Sequence, residues 1–441
     1  MVVVLASSTD ASGGIGCWDL NTGSEQIRYK SFSSPSHGLV SVGDRFLASS
    51  QLRDASTSSA SVFFWSWSKP QVEVKSFPSE PITPLASNHS GTYLVGGGLS
   101  GEIYLWEVET GRLLKKWHGH NTAVTCLVFS EDDSLLISGF KNGSVRVWSL
   151  LMIFDDVRRR EASKIYEYSF SDHTLCVNDV VIGYGGCNAI IASASDDRTC
   201  KVWTLSNGML QRNIVFPSKI KAIALDPAEH VLYAGSEDGK IFVAALNTTR
   251  ITTNDQVSYI TGSFSNHSKA VTCLAYSAAE NFLISGSDDG IVRVWNASTH
   301  NIIRVFKHAK GPITNILVLR QENDLSNPMS SNLQGTSKKK GAQFPPLEKY
   351  ANSMDEDSDK TTIVSLGGGN ICMDVSYLSS QVISSYSKEL QSQGSAAASE
   401  MEIEKLKRDC QKSVQMVNKW KKMYENLHQF CVKEMLDGNE K

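Results

Sequence analysis

Residues 119–148 read GHNTAVTCLVFSEDDSLLISGFKNGSVRVW, and residues 267–295 read HSKAVTCLAYSAAENFLISGSDDGIVRVW. AVTCL at Ala123–Leu127 returns letter for letter at Ala270–Leu274, LLISG returns as FLISG, and NGSVRVW returns as DGIVRVW. Within the unit, Val124, Cys126 and Val128 alternate with Thr125 and Leu127, and Asp132-Asp133 marks a turn. Leu135–Ser138 is apolar and partly β-branched, Asn142-Gly143 signals a hairpin, and Val145, Val147 and Trp148 close the run. The unit reads as three short antiparallel strands. Such a sheet cannot cover both of its faces, so it needs neighbours of its own kind.

A Gly-His opening, a turn Asp or Asn six residues before a Trp, and a period of roughly 40 to 45 residues resemble the WD40 repeat, whose units are propeller blades. The same ending recurs as IGCWDL at Trp18, VFFWSW at Trp65, EIYLWEV at Trp106, VRVWSL at Trp148, CKVWTL at Trp203, IFVAAL at Ala244 and VRVWNA at Trp295. These endings imply an all-β, seven-bladed WD40-type β-propeller over residues 1–319. In such blades His120, Trp148, Asp197, Trp203, Asp238, His267, Asp289 and Trp295 belong to the structural motif, tying strands to turns by buried hydrogen bonds. Ala244 has replaced the sixth Trp, which is expected to loosen that blade, and Ser12 and Ser59 stand where the first two turn acids belong.

VVVLAS, IGCWDL and QIRYKSF begin too close to the start of the chain to build a whole blade. The missing inner strand is expected at Pro312–Leu319, PITNILVL, pairing with Val2–Ala6 so that the ring closes and free sheet edges disappear. Thr361–Leu366, TTIVSL, competes for that place.

The chain has 441 residues with 41% hydrophobic content, enough for a large core, and a net charge of −3 implies no global pull toward nucleic acid. Nine cysteines without a CxxC pair read as reduced core residues. The apolar run MVVVLASS lacks a basic flank and is short for a signal peptide, and no apolar run of about 18 residues follows, so a soluble intracellular protein without membrane contact is expected. GxxxxGK[ST], HExxH and GxSxG are absent, and no His or Cys spacing suggests a metal. His120, Ser138 and Asp289 match a catalytic triad in composition only. No enzyme activity and no cofactor are expected.

Between Trp148 and Trp203 the connection is lengthened and carries Asp155-Asp156 and Arg158-Arg159-Arg160, a solvated charged stretch or a contact for an acidic partner. Residues 320–360 turn polar, with Lys338-Lys339-Lys340, and read as a flexible loop or linker. One island in it, FPPLEKY at Phe344–Tyr350, is apolar and Pro-stiffened enough to dock. Residues 361–398 form a short strand or helix connection. Residues 399–436 read as one long helix with a capping-box start, Ser399 and Glu402, and a coiled-coil seam of Ile403, Leu406, Cys410, Val417, Trp420, Tyr424, Leu427 and Cys431. A coiled-coil homodimer is expected, with docking to a different subunit and packing on its own propeller as the alternatives.

The degenerate IGCWDL blade, the Trp-rich FFWSW, the run SGEIYLWEVETGRLLKKWHGH, the FPPLEKY island and the C-terminal helix together resemble the WD-repeat subunit of the rixosome. That resemblance implies a non-enzymatic subunit of a nuclear and nucleolar complex that removes the internal spacer of pre-rRNA and matures the large ribosomal subunit. It implies the HEAT-like scaffold subunits of the complex as partners and, through the pre-ribosome, a giant AAA ATPase remodeller. RNA contact would be mostly indirect. A substrate receptor of a cullin-type ubiquitin ligase is the alternative; such propellers carry Trp-Asp-x-Arg, whereas Trp18-Asp19 is followed by Leu20-Asn21.

Overall fold

The computed structural model describes residues 2–320, apart from 11–12, 30–32, 44, 52–60, 68, 156–164, 187–188, 248–250, 254–255 and 309–310, together with residues 345–350. Arg158–Arg160, Lys338–Lys340, Thr361–Leu366 and the whole helical seam from Ile403 to Cys431 lie outside the described residues.

Seven four-stranded antiparallel sheets follow one another along the chain. The repeat at Gly119 supplies Val124–Phe129, Leu135–Phe140 and Val145–Ser149, and a fourth strand, Tyr166–Phe170, pairs outside them. The three strands read from the unit thus gain a rim strand, giving the four-stranded blade that the WD40 resemblance implies. Outer strands such as Leu210–Val215 have one neighbour instead of two and bury mainly a single side chain, Ile214, so they carry little apolar periodicity.

The innermost strands are Ile313–Arg320, Leu39–Val42, Ile82–Ser87, Val124–Phe129, Val177–Ile182, Ile220–Leu225 and Val271–Ser277. Each touches the next, and the last returns to Ile313–Arg320, which makes a closed ring. Closure is antiparallel: Val2 faces Arg320, Leu5 faces Leu317 and Ala6 faces Ile316, with a bulge between Ser7 and Ser8. The first sheet therefore takes three strands from one end of the sequence and its inner strand from three hundred residues away, and the expected pairing at PITNILVL is the one observed.

Side chains bolt this joint. Asn315 Nδ2 donates to Ser7 Oγ at 2.9 Å and to Pro35 O at 2.7 Å, and Thr314 Oγ1 donates to Ser34 O at 2.9 Å. His308 Nε2 donates to Gly14 O at 3.2 Å, and its ring stands edge-on to Trp18 at 5.3 Å. Burial, with the Arg28 guanidinium next in importance, pushes the His308 imidazole down to about 4.

The core lies between blades. Trp65, Trp106, Trp148, Trp203 and Trp295 are all fully buried, and each apolar cluster joins neighbouring sheets, as where Val95 and Leu105 of one blade meet Leu136 and Trp148 of the next. The long connection after Trp148 begins as a short helix, Leu150–Phe154, and the one after Ala244 contains the small hairpin Ile251–Thr253 and Gln256–Ser258.

Candidate functional site

The residues singled out from the repeat meet as networks inside single blades. In the seventh, His267 Nδ1 lies 3.1 Å from Asp289 Oδ2 and Nε2 lies 2.8 Å from Ser285 Oγ, while Trp295 Nε1 donates to Ser285 Oγ at 2.8 Å. Arg293 adds a second donor to Asp289 at 3.0 Å. The Ser285 hydroxyl accepts from Trp295 and can give its own proton to Nε2, while the Arg293 guanidinium lies against both Nδ1 and the Asp289 carboxylate. Burial holds the His267 imidazole below its ordinary value. Burial would raise Asp289, but hydrogen bonds from His267 and Arg293 outweigh it and hold the carboxylate low. The Ser285 hydroxyl is 0% exposed, so no substrate carbonyl can approach it. The same grouping that suggests a triad on paper is a strut.

The fifth blade repeats the strut with variation: His173 meets Asp197 at 2.9 Å and Ser193 at 2.7 Å, while Trp203 Nε1 turns to Asp172 Oδ2 at 3.4 Å. In the fourth, Trp148 still reaches Ser138 at 2.7 Å, but His120 meets Asn142 at 3.1 Å and sits against the Phe140 ring instead of joining Ser138. In the sixth, register places Phe216, Ala234 and Ala244 where the seventh has His267, Ser285 and Trp295. Asp238 stays at the surface. Phe216 and Phe242 approach to 5.5 Å within the apolar cluster that holds Ala244. The whole polar network has been exchanged for an apolar one, which avoids the cost of a half-satisfied set.

Burial pushes the Cys17 thiol up to about 11 and that of Cys273 to about 12, so neither is a thiolate nucleophile.

Among the described residues, the segment docked from beyond the ring is Pro345–Tyr350 of the expected island. Pro345–Tyr350 lies on the outer edges of the second and third blades. Leu347 N–H donates to Ser76 Oγ at 2.9 Å, Glu348 N–H donates to Gly111 O at 2.9 Å, and Trp106 Nε1 donates to Glu348 O at 2.9 Å. Gly96 holds the position that Ser138 and Ser285 hold in their blades, so the Trp106 indole, lacking a serine, reaches outward to the strap. The Leu347 side chain is 4% exposed, in the cluster with Val74, Trp106, Val108 and Leu113. Gly111, at φ +71°, lets Pro346 O approach so closely that a Cβ would sit 2.6 Å from it. Tyr350 points into solvent, 73% exposed. The island was legible as a docking segment, but its groove was not, because Ser76, Trp106 and Gly111 come together only once two blades are side by side.

Protein ROOT INITIATION DEFECTIVE 3 of Arabidopsis thaliana is 51% identical over 440 residues, 98% of each chain. WD repeat-containing protein 18 of Bos taurus is 34% identical over 68% of this chain and 69% of its own. The chain belongs to this WD-repeat family. Pre-rRNA-processing protein IPI3 of Yarrowia lipolytica is a more distant relative, 26% identical over 77% of this chain and 80% of its own. The Neurobeachin beta propeller domain family matches residues 68–333. A solved structure of the computationally designed Ika8 protein is similar at a TM-score of 0.50 and 25% identity, over 71% of this chain and 86% of that one.

Proposed function

We propose that this chain is a non-enzymatic scaffold subunit of a nuclear and nucleolar complex that processes the internal spacer of pre-rRNA during maturation of the large ribosomal subunit. The observation that carries it is end-to-end similarity, 51% over 98% of both chains, to a member of the WD-repeat family in which more distant relatives are named for pre-rRNA processing. The ring supports the non-enzymatic part, since its Ser-His-Asp groupings are sealed struts. In this reading the HEAT-like scaffold subunits of the rixosome bind the ring, and the pre-ribosome brings its AAA ATPase remodeller. Arg158–Arg160 and Lys338–Lys340 are contact candidates, and the seam from Ile403 to Cys431 pairs two copies. A net charge of −3 favours indirect RNA contact. Dividing tissue, where ribosome demand is highest, depends on the protein most.

The test is affinity purification from growing cells of the full chain and of a version ending at Gln393. Spacer-containing pre-rRNA and an untagged copy should come down with the full chain, and truncation should remove the second. Recovery of neither overturns the reading.

A further inference from the structure

A contact between blades that are not neighbours must cross the centre of the ring, and one does. His37, at φ 57° just ahead of the second blade's inner strand, donates Nε2–H to Asn178 O of the fifth blade at 2.9 Å, while its carbonyl accepts Leu85 N–H at 2.8 Å. It bridges the channel at the end where the inner strands begin. The channel itself is a cavity of about 500 Å³ with walls such as Leu85, Leu127, Ile223, Leu274 and Ile316.

In that apolar wall sits Asp179, 8% exposed. Its Oδ2 accepts Ile223 N–H at 2.9 Å, and its Oδ1 lies 3.8 Å from His37 Nε2, whose hydrogen is already given to Asn178. Burial raises this carboxyl above the ordinary carboxylate range. A desolvated acid of this kind gains strongly from a cation brought to it. The other end of the cavity, where the inner strands run into their turns, is lined by His89, Glu131, Tyr184 and Tyr276, with Tyr184 52% exposed. No lysine or arginine is among the described lining residues, so two carboxylates face only the imidazoles of His37 and His89.

We infer that the channel binds an arginine side chain carried on an extended segment of a partner protein, entering past Glu131 and Tyr184 to reach Asp179. Arginine is the fitting cation because a guanidinium keeps its charge when buried, pairs with carboxylate through its fork and stacks on tyrosine faces. A lysine in the same place would tend to lose its proton. An extended segment is needed because Tyr184 stands five positions along the chain from Asp179, beyond the end of the strand at Ile182, a run of up to roughly 16 Å at about 3.3 Å per residue, further than one side chain spans. The cavity lies within the range of about 300–1,000 Å³ typical of ligand sites. The inference does not rest on the proposed function, and its test uses the purified chain with none of the proposed partners.

The probe is fluorescein-Gly-Ala-Ala-Arg-amide against the same peptide with citrulline, a neutral isostere, titrated with the full purified chain and followed by anisotropy. The arginine peptide should bind about tenfold tighter or better, as expected when a charged group meets a desolvated partner. Asp179→Asn should erase that preference. Glu131→Lys, a substitution at an exposed turn, should weaken the arginine peptide by about fivefold through charge reversal while leaving the citrulline peptide and the melting temperature unchanged. It keeps the test decisive if Asp179→Asn does not fold. Equal binding of the two peptides by the wild-type chain, no binding of either, or a preference that survives in a folded variant overturns the inference.

Discussion

Leu347→Ala should release the strap and leave the ring intact. The side chain is 4% exposed among Val74, Trp106, Val108 and Leu113, and the substitution removes most of what it buries. In a rigid core, Leu→Ala costs about 2–5 kcal/mol because a cavity remains. A surface segment can instead leave its groove, so the loss reduces to the transfer of the deleted carbons, roughly 2 kcal/mol, or about 30-fold in the docking equilibrium. The reporters are the amides of Leu347 and Glu348, which donate to Ser76 Oγ and Gly111 O, each at 2.9 Å. Hydrogen exchange followed by mass spectrometry should show the 345–350 peptide exchanging about 30-fold faster in the variant, with the peptide covering Val124–Phe129 unchanged. Gly111→Ala should do the same by a different route, since φ +71° and the nearby Pro346 carbonyl leave no room for a Cβ. Unaltered exchange in the strap would refute the reasoning, and so would loss of protection throughout the ring, which would make the strap part of the cooperative core.

Ser285→Ala should lower stability by about 1–3 kcal/mol in urea unfolding, because it strands the Trp295 indole N–H and His267 Nε2 in a buried site; a change near zero would mean that the strut is ornamental. Acid should weaken the ring before the carboxylates titrate. His308 is held at about 4, so as pH falls from about 6.5 the unfolded chain takes up a proton that the folded chain refuses. That stability is full above pH 6.5 and is lost progressively toward pH 4, amounting to about 3 kcal/mol, and the lowered imidazoles of His173 and His267 slope the same way. His308→Gln should flatten part of the decline between pH 7 and pH 5 in urea midpoints. Gly143→Ala should cost more than about 1 kcal/mol by thermal melting, since φ is +91° and a Cβ would sit 2.5 Å from His173 O.

The ring was legible because Trp, Asn-Gly or Asp-Gly and the alternating inner strand are local signals with fixed spacing. Closure was legible too, since a first sheet short of one strand and a last strand without a Trp ending need each other. Of the rim strands, the first was read within QIRYKSF, but Leu113–His118 and Ile302–Lys307 were not, because they expose most of one face and carry no strong period. His120 could not be separated from His267 by pattern alone, since the difference lies in Asn142 standing where Asp289 does. Nor could the loss of Trp at Ala244 be read as balanced, because Phe216 and Phe242 match the empty positions only in register. His37 and Asp179 belong to no motif. They meet because seven blades bend the chain until the second and the fifth face each other.

The measurement that bears most directly on the account is the level of spacer-containing pre-rRNA in cells depleted of this protein and then supplied with either the wild-type chain or the Ser285→Ala chain expressed at equal level. A non-enzymatic scaffold predicts that the spacer-containing precursor accumulates on depletion, that the wild-type chain clears it, and that the strut variant clears it as well once its abundance matches, because Ser285 holds a blade and performs no chemistry. An unchanged precursor on depletion would contradict the assignment to pre-rRNA processing, and a folded, abundant Ser285→Ala chain that fails to clear it would contradict the claim that the Ser-His-Asp groupings are structural.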